Sequence, residues 1–485
     1  MKKILTLLCL VTLLFSSFSV FGIPIKKVST TADDIEIIVD ILAIRALDKI
    51  DRLSDPDFFV KIIFDDEEYV SDTWKDAPSL YDCCSFTKNI SEDVEKMNVT
   101  FQLWDKNLIT KRLCDISGDR NQDNIGFDTT VVYDIKTGRW SGDDYIGDPS
   151  GYGRLNGCDD GSIYENELDC ELWFDIKQED SDGDGIPYWI ETNVYGTDPL
   201  VDDTGSDIDE DGIPIEWEHR FGFNPLIWDD HEKYDPDQDS LNNLEEYLTW
   251  SWDSDPYRRD VFLEMDHMEP GPEDKQNDVP VESYELLKNP FHRRNIVFHV
   301  DYEVYGGDLI PFDNDTKHEE AIDIYETYFI KNESENWRRS VFHYAVWVYY
   351  CKPMGYAFRG DMTPSMGYLR GTNSFIVCTA LIDKIDDSIF IKTSRPSIYA
   401  SDIMHEMGHN FGLRWGNPFG VDCQFGKNPW QPNFWIFGRY KSIMNYRYTY
   451  SILDYSDGSN GFFDHDDWET IELSYFEKPS TNYYP

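Results

Sequence analysis

Apolar and polar positions alternate in short runs through the first third of the chain. "DIEIIVDILAIRALDKIDRLSDPDFFVKIIFDD", from Asp34, combines strand-like runs with an acidic turn, and "NVTFQLWDKN" adds a run ending near Asp105. "TTVVYDIKTGRW" and "CELWFDIK" come next, set apart by Asp, Gly and Asn turns. Period-two runs bounded by turn residues predict an all-β sandwich over residues 34–176. The pattern then breaks. Over 177–256 short helix-like stretches end in "GTDP", "GFNP" or "DSDP", where proline stops the turn. Beyond Tyr257, "RRDVFLEMDHM", "RRNIVFHVDYEV", "SVFHYAVWVYYC" and "NSFIVC" predict buried strands. "KHEEAIDIYETYFI" has helical periodicity, and a long helix runs through "ASDIMHEMGHNFGLR". Strands followed by that helix predict an α+β or α/β domain over 257–485. The chain is therefore expected to be multidomain.

Its 485 residues suit more than one domain, and 15 Trp, 30 Tyr and 29 Phe are ample for real cores. The formal charge of -50 excludes nucleic acid as a partner, because no basic surface faces the phosphates. The same charge attracts cations. Residues 1–22, "MKKILTLLCLVTLLFSSFSVFG", read as a secretory signal peptide, with Val20 and Gly22 before the expected cut. No other stretch approaches the ~20 apolar residues that span a bilayer. The expected location is therefore secreted or cell-surface. Eight cysteines follow the signal, five before residue 175 and three after 350. Odd counts on both sides allow a bridge between the halves or a free thiol in each. Sequons stand at Asn89, Asn98, Asn314 and Asn332.

From Asp175 to Glu246, 23 of 72 residues are Asp or Glu and 3 are Lys or Arg. The acids recur as "DSDGDGIPYWIE", "DIDEDGIPIEWE" and "DPDQDSLNNLEE", at intervals of 27 and 28 residues. Each unit offers carboxylates at positions 1, 3 and 5: Asp180, Asp182 and Asp184; Asp207, Asp209 and Asp211; Asp235, Asp237 and Asp239. The carbonyl at position 7 (Ile186, Ile213, Leu241) and the glutamate at position 12 (Glu191, Glu218, Glu246) can close an oxygen shell around calcium. Gly185 and Gly212 permit the turn at position 6. Ser240 stands there in the third unit, with Asn243 at position 9 as partial compensation. Three or more calcium ions are expected. The units resemble thrombospondin type 3-like secreted calcium repeats. The segment 34–176 resembles C2-like domains, most clearly at "SDPDFFVKI". That resemblance implies a calcium-binding end near Asp51, Asp55, Asp57, Asp105, Asn107, Asp119 and Asp123, and peripheral contact with a membrane or cell surface.

His405 and His409 stand four apart, which on a helix places both imidazoles on one face, able to share one zinc. Glu406 lies beside them, where it can reach a metal-bound water as general base. "SIMNY", with Met444 and Tyr446, begins 33 residues after His409. The helix and this turn resemble metzincin zinc endopeptidases, and "DVFLEMDHM" and "VFHYAVW" resemble the pappalysin-like branch. The resemblance implies a zincin-like fold, a peptide or protein substrate, Met444 as floor of the site and Tyr446 as metal or oxyanion partner. It also implies that zinc activates the attacking water while Glu406 passes a proton to the leaving amine. One departure is plain. The extended motif would place a third histidine at 415, and this chain has Trp415, whose indole N–H only donates. Asp422 is the leading replacement ligand; Cys423, Asn417, Asp464, His465, Asp466 and Asp467 are alternatives. The competing function is a catalytically inactive calcium-binding scaffold or adhesion protein.

Overall fold

A computed structural model describes residues 34–473 apart from 92, 119–126, 143–152, 166, 179, 273–278, 332–335, 353–354, 359–372, 388–392, 415 and 417. The signal segment, Asp119, Asp123, Asn332, Trp415 and Asn417 lie outside the described residues. Among the described residues no helix is long and apolar enough to cross a membrane.

The alternating runs fold into ten strands: β1 (Asp34–Ala46), β2 (Phe58–Phe64), β3 (Glu67–Val70), β4 (Ser79–Ser91), β5 (Lys96–Lys106), β6 (Lys111–Leu113), β7 (Thr129–Asp134), β8 (Arg139–Gly142), β9 (Gly153–Asn156) and β10 (Cys170–Gln178). They form two antiparallel sheets, ordered β4-β1-β10-β9 and β3-β2-β5-β7-β8, with β6 on β5. Inward positions such as Ile37, Val39, Val60, Ile62, Val99, Phe101, Leu172 and Phe174 fill one core between the sheets. Their neighbours in sequence point outward, as period-two patterning requires.

The repeats carry little regular structure. Helices α1 (Tyr188–Ile190), α2 (Ile215–Phe221) and α3 (Asn243–Leu248) are short. Ile186 packs with Ile190 and Ile215, and Ile213 with Trp217 and Phe221. Leu241, the position-7 residue of the third unit, instead enters the core of the C-terminal domain. The array is thus anchored in that domain by its last unit.

The C-terminal sheet contains β11 (Asp260–Met268), β12 (Val297–Asp301), β13 (Leu309–Ile310), β14 (Phe342–Val348), β15 (Gly355–Phe358) and β16 (Ser374–Cys378). The order is β12-β11-β14-β16-β15, with β13 beside β11. Only β15 runs antiparallel, on the edge. The remainder is parallel, so of the two arrangements expected, α+β and α/β, this domain has the α/β layer structure. The reason is legible in the burial: every residue of β14 and β16 is buried, as happens when helices cover both faces. One face (Leu263, Ala345, Trp347, Val377) packs on α4 (Val281–His292) and α7 (Arg395–Asn410). The other (Phe262, Phe342, Tyr344, Ile376) packs on Tyr325 and Phe329, which continue α5 (His318–Ile324).

Helix α4 also holds the sandwich. Arg45 reaches Glu285 (2.8 Å), Glu171 pairs with His292 (2.6 Å), and Asn156 donates to the His292 carbonyl (2.7 Å). The cysteines sort within the halves. The Cys114 and Cys170 thiols are in hydrogen-bonding contact, as are those of Cys351 and Cys378.

Candidate metal centre

Helix α7 starts where Ser394 caps it, with a proline in its first turn. Its inner positions Ile398, Ile403, Met404 and Met407 are fully buried. That packing fixes the roll of the helix and turns Glu406 toward β15 and both histidines toward Asp422. Gly412, at φ 100°, ends the helix in a conformation that disfavours a side chain. The chain returns as β17 (Phe419–Asp422), bringing Asp422 back under the helix.

Asp422 Oδ1 lies 3.0 Å from His405 Nε2, and its Oδ2 lies 3.2 Å from His409 Nε2. His405 Nδ1 donates to the Ile443 carbonyl (3.0 Å), and His409 Nδ1 to the Leu413 carbonyl (2.6 Å). With each Nδ1 so committed, both Nε2 atoms converge on the carboxylate. Backbone carbonyls orient metal-binding histidines in this way. Tetrahedral ligands about 2.0–2.1 Å from zinc stand roughly 3.3 Å apart, close to the observed separations, so these residues fit that ion. Without a cation the three form an ion-pair triad. Burial opposes charge on His405, but the hydrogen bond and charge of Asp422 outweigh it and raise the histidine to about 9. Burial would raise Asp422 too, yet the two histidines hold it well below the usual carboxylate range. Asp422 adopts φ 52° and donates its N–H to the Met444 carbonyl (3.0 Å). The turn carrying Met444 therefore positions the third side chain of the cluster.

Glu406 is buried, with Oε2 lacking a partner and the Ala357 amide on its carboxylate. Burial raises its pKa. A Cβ on Gly355 would stand 2.6 Å from Glu406 Oε1, so only glycine lets edge strand β15 pass this close. Gly408 lies over Met444 and Tyr455, and a Cβ there would collide with the Met444 sulfur. Tyr446 stacks on His405 (centroids 5.5 Å, 14° between planes), with Lys427 Nζ 4.1 Å above its ring. Of the alternative ligands, Cys423 accepts from Asn433 (3.2 Å), and Asp467 accepts from Tyr440 (2.8 Å). His343 is buried against the Leu473 carbonyl (2.9 Å).

The acidic loops close as their spacing predicts. The position-1 aspartates accept the amides of Gly185 (2.6 Å), Gly212 (2.9 Å) and Ser240 (3.1 Å). Ser240 adopts φ 79° without being glycine. Each position-5 carboxylate also takes an amide from well down the chain: Asp203 to Asp184 (3.4 Å), Asp229 to Asp211 (3.2 Å) and Asp260 to Asp239 (2.7 Å). The spacing of the acids inside a loop gave no sign of these residues, because their separation from it varies. Asp203 and His231 further join the first and second clusters. Asn243, at position 9 of the third unit, has its amide nitrogen 3.0 Å from His231 Nδ1. Burial and the neighbouring aspartates raise Glu191 to about 7, and burial raises Asp237 to about 10. A cation beside them would favour the ionised form.

At the sandwich end, Asp105 accepts from the Asp57 amide (3.0 Å) and Asn107 (2.6 Å). Arg112 sits between Asp51 and Asp105, 2.7 Å from the latter. One guanidinium therefore already pairs with two of the carboxylates expected to hold calcium there.

No model of a protein family matches the sequence, and no curated protein matches it. Solved structures similar to part of the chain include a C2 domain (10% identity, 30% of this chain, 98% of that one, TM-score 0.20) and a C2 domain of plant extended synaptotagmin 1 (12%, 31%, 98%, TM-score 0.20). Human GIVD cytosolic phospholipase A2 is similar over 31% of this chain and 17% of its own (16% identity, TM-score 0.20). The chain spans under a fifth of that phospholipase.

Proposed function

We propose that this protein is a secreted zinc-dependent endopeptidase, with His405, His409 and Asp422 holding the metal and calcium stiffening the acidic array. One observation carries the reading: two histidines one helical turn apart, each tied by Nδ1 to a carbonyl, share one carboxylate from a distant loop. Bound zinc would supply an activated water and polarise the scissile carbonyl. Glu406, raised by burial and with one oxygen unpartnered, would take a proton from that water and return it to the leaving amine. Among the described residues, edge strand β15 passes beside Glu406 and pairs only with β16, so an extended peptide can add to its other side. Tyr446, stacked on the His405 ring, supports the imidazole and would meet the developing oxyanion. The zincin-like and metzincin-like assignment of this domain is part of the proposal.

The sandwich is proposed to dock peripherally on an anionic membrane. Leu53, Leu108 and Ile109 are 100%, 102% and 91% exposed, on loops joined by Arg112, with Arg52, Lys106 and Lys111 exposed around them. Apolar tips ringed by cations suit such a surface. Leu108→Asp should abolish co-sedimentation with phosphatidylserine vesicles; unchanged binding would refute the docking.

A second reading, a calcium-stiffened scaffold that cuts nothing, is favoured by the direct ion pairs of Asp422 with both histidines, which already give each Nε2 an anionic partner. Glu406→Gln decides between them. The endopeptidase reading expects the variant to retain zinc and lose hydrolysis of a denatured protein substrate. A parent chain that takes up no zinc at His405, or a variant that cleaves as fast as the parent, overturns it.

A further inference from the structure

The three acidic loops differ in donor chemistry. The first draws on Asp180, Asp182, Asp184, Glu191 and Asp203, all oxygen donors. In the second, His231 enters the cluster from 13 residues beyond Glu218, with its Nε2 3.1 Å from Asp211 Oδ2 and 3.9 Å from Glu218 Oε1. The side chains of Asp211, Glu218 and His231 are at most 1% exposed. Both Glu218 oxygens are buried without a hydrogen-bond partner. A bare glutamate facing an imidazole in a dry pocket is costly unless a cation joins them.

The imidazole is held for this purpose. Its edges and faces meet Trp217 (6.0 Å), Phe223 (5.2 Å) and Tyr234 (6.2 Å). Its Nδ1 lies 3.0 Å from the Asn243 amide, whose Oδ1 is buried without a partner. A half-turn of that amide puts its oxygen on Nδ1–H and leaves the Nε2 lone pair on the two carboxylates. Calcium takes oxygen ligands, whereas imidazole suits zinc-class transition cations.

We propose that the second loop is a transition-cation site of the zinc class, with His231 Nε2, Asp211 and Glu218 as ligands, between two calcium loops. It needs no contribution from the His405 centre. The array is then a mixed-metal device, with His231 setting the second site apart.

The test compares the full-length parent with His231→Asp after dialysis against zinc and calcium together. The variant should lose one zinc equivalent and gain one calcium equivalent, because an aspartate completes an all-oxygen shell. The difference counts only this site, whatever the His405 centre does. Should the variant misfold, anomalous diffraction at the zinc edge of the parent replaces it, with a peak expected about 2.0–2.1 Å from His231 Nε2. Equal zinc content in the two chains, or no peak at His231, overturns the proposal. The second result includes the case in which a protonated imidazole itself fills the place of the cation.

Discussion

Gly408 shows how one missing methyl group shapes the centre. It lies on α7 between the two histidines, and Met444 occupies the space where its Cβ would be. Gly408→Ala should push the Met444 turn away and cost about 1–3 kcal/mol, as overpacking does. Because Asp422 hangs from the Met444 carbonyl, zinc affinity should fall with it. Thermal unfolding and zinc titration of the variant check this together; an unchanged melting temperature would show that the turn yields freely. Other single residues were legible only in part. The spacing of His405, Glu406 and His409 placed both imidazoles on one helix face, and the "SIMNY" turn with the resemblance it carries made them a site. Asp422 could be ranked first among several candidates, but its spacing did not fix it, because its place depends on a left-handed residue at the end of a loop. Arg112 was not anticipated, since its charge reaches Asp51 across the sandwich end.

At the scale of elements, α4 does two tasks. One side packs against α7 in the core, and the other docks the sandwich. The docked side is acid-sensitive. His292 donates Nδ1–H to Glu171, and its Nε2 accepts the Phe298 amide (3.4 Å), so the buried ring is neutral. Burial pushes it down to about 3, although Glu171 opposes. An unfolded histidine titrates near 6.5, so between that pH and about 3 only the unfolded chain takes the proton. Stability should then fall by up to about 1.4 kcal/mol per pH unit as pH drops. Glu285 acts in the same direction. Burial would raise it, but Arg45 and Lys288 prevail and hold it at about 2. Its contribution is complete above the unfolded value and is lost as pH falls toward 2. Melting temperatures at pH 7 and pH 4.5 measure the sum. His292→Gln should flatten the profile above pH 4.5; an identical slope would place the acid sensitivity elsewhere. The elements themselves were largely foreseen, while the parallel pairing of β11, β12, β14 and β16 was not. Parallel and antiparallel strands share the same apolar runs, and only the connections between them decide.

Over the whole molecule, the acidic array joins sandwich to C-terminal domain. Leu241 lies in the C-terminal core, and the first residue of β11, Asp260, caps Asp239. Removing calcium should therefore loosen more than a linker. Buried carboxylates at Asp237, Asp239, Glu246 and Asp260, all raised first by burial, would repel or take up protons. A calcium chelator should lower the melting temperature and open residues 180–260 to proteolysis, with calcium restoring both. Indifference to chelation would mean that the loops hold shape without the ion. The sequence by itself determined the local chemistry: which runs form strands, where three loops collect carboxylates, and which helix presents two imidazoles on one face. Those properties depend on neighbours within about a dozen residues. Only the tertiary structure decided what completes each cluster, namely Asp422 for the histidines, His231 for the second loop, Asp260 on the third and Arg112 at the sandwich end. Each arrives on a separate segment whose path is set by packing, and packing is a property of the whole chain.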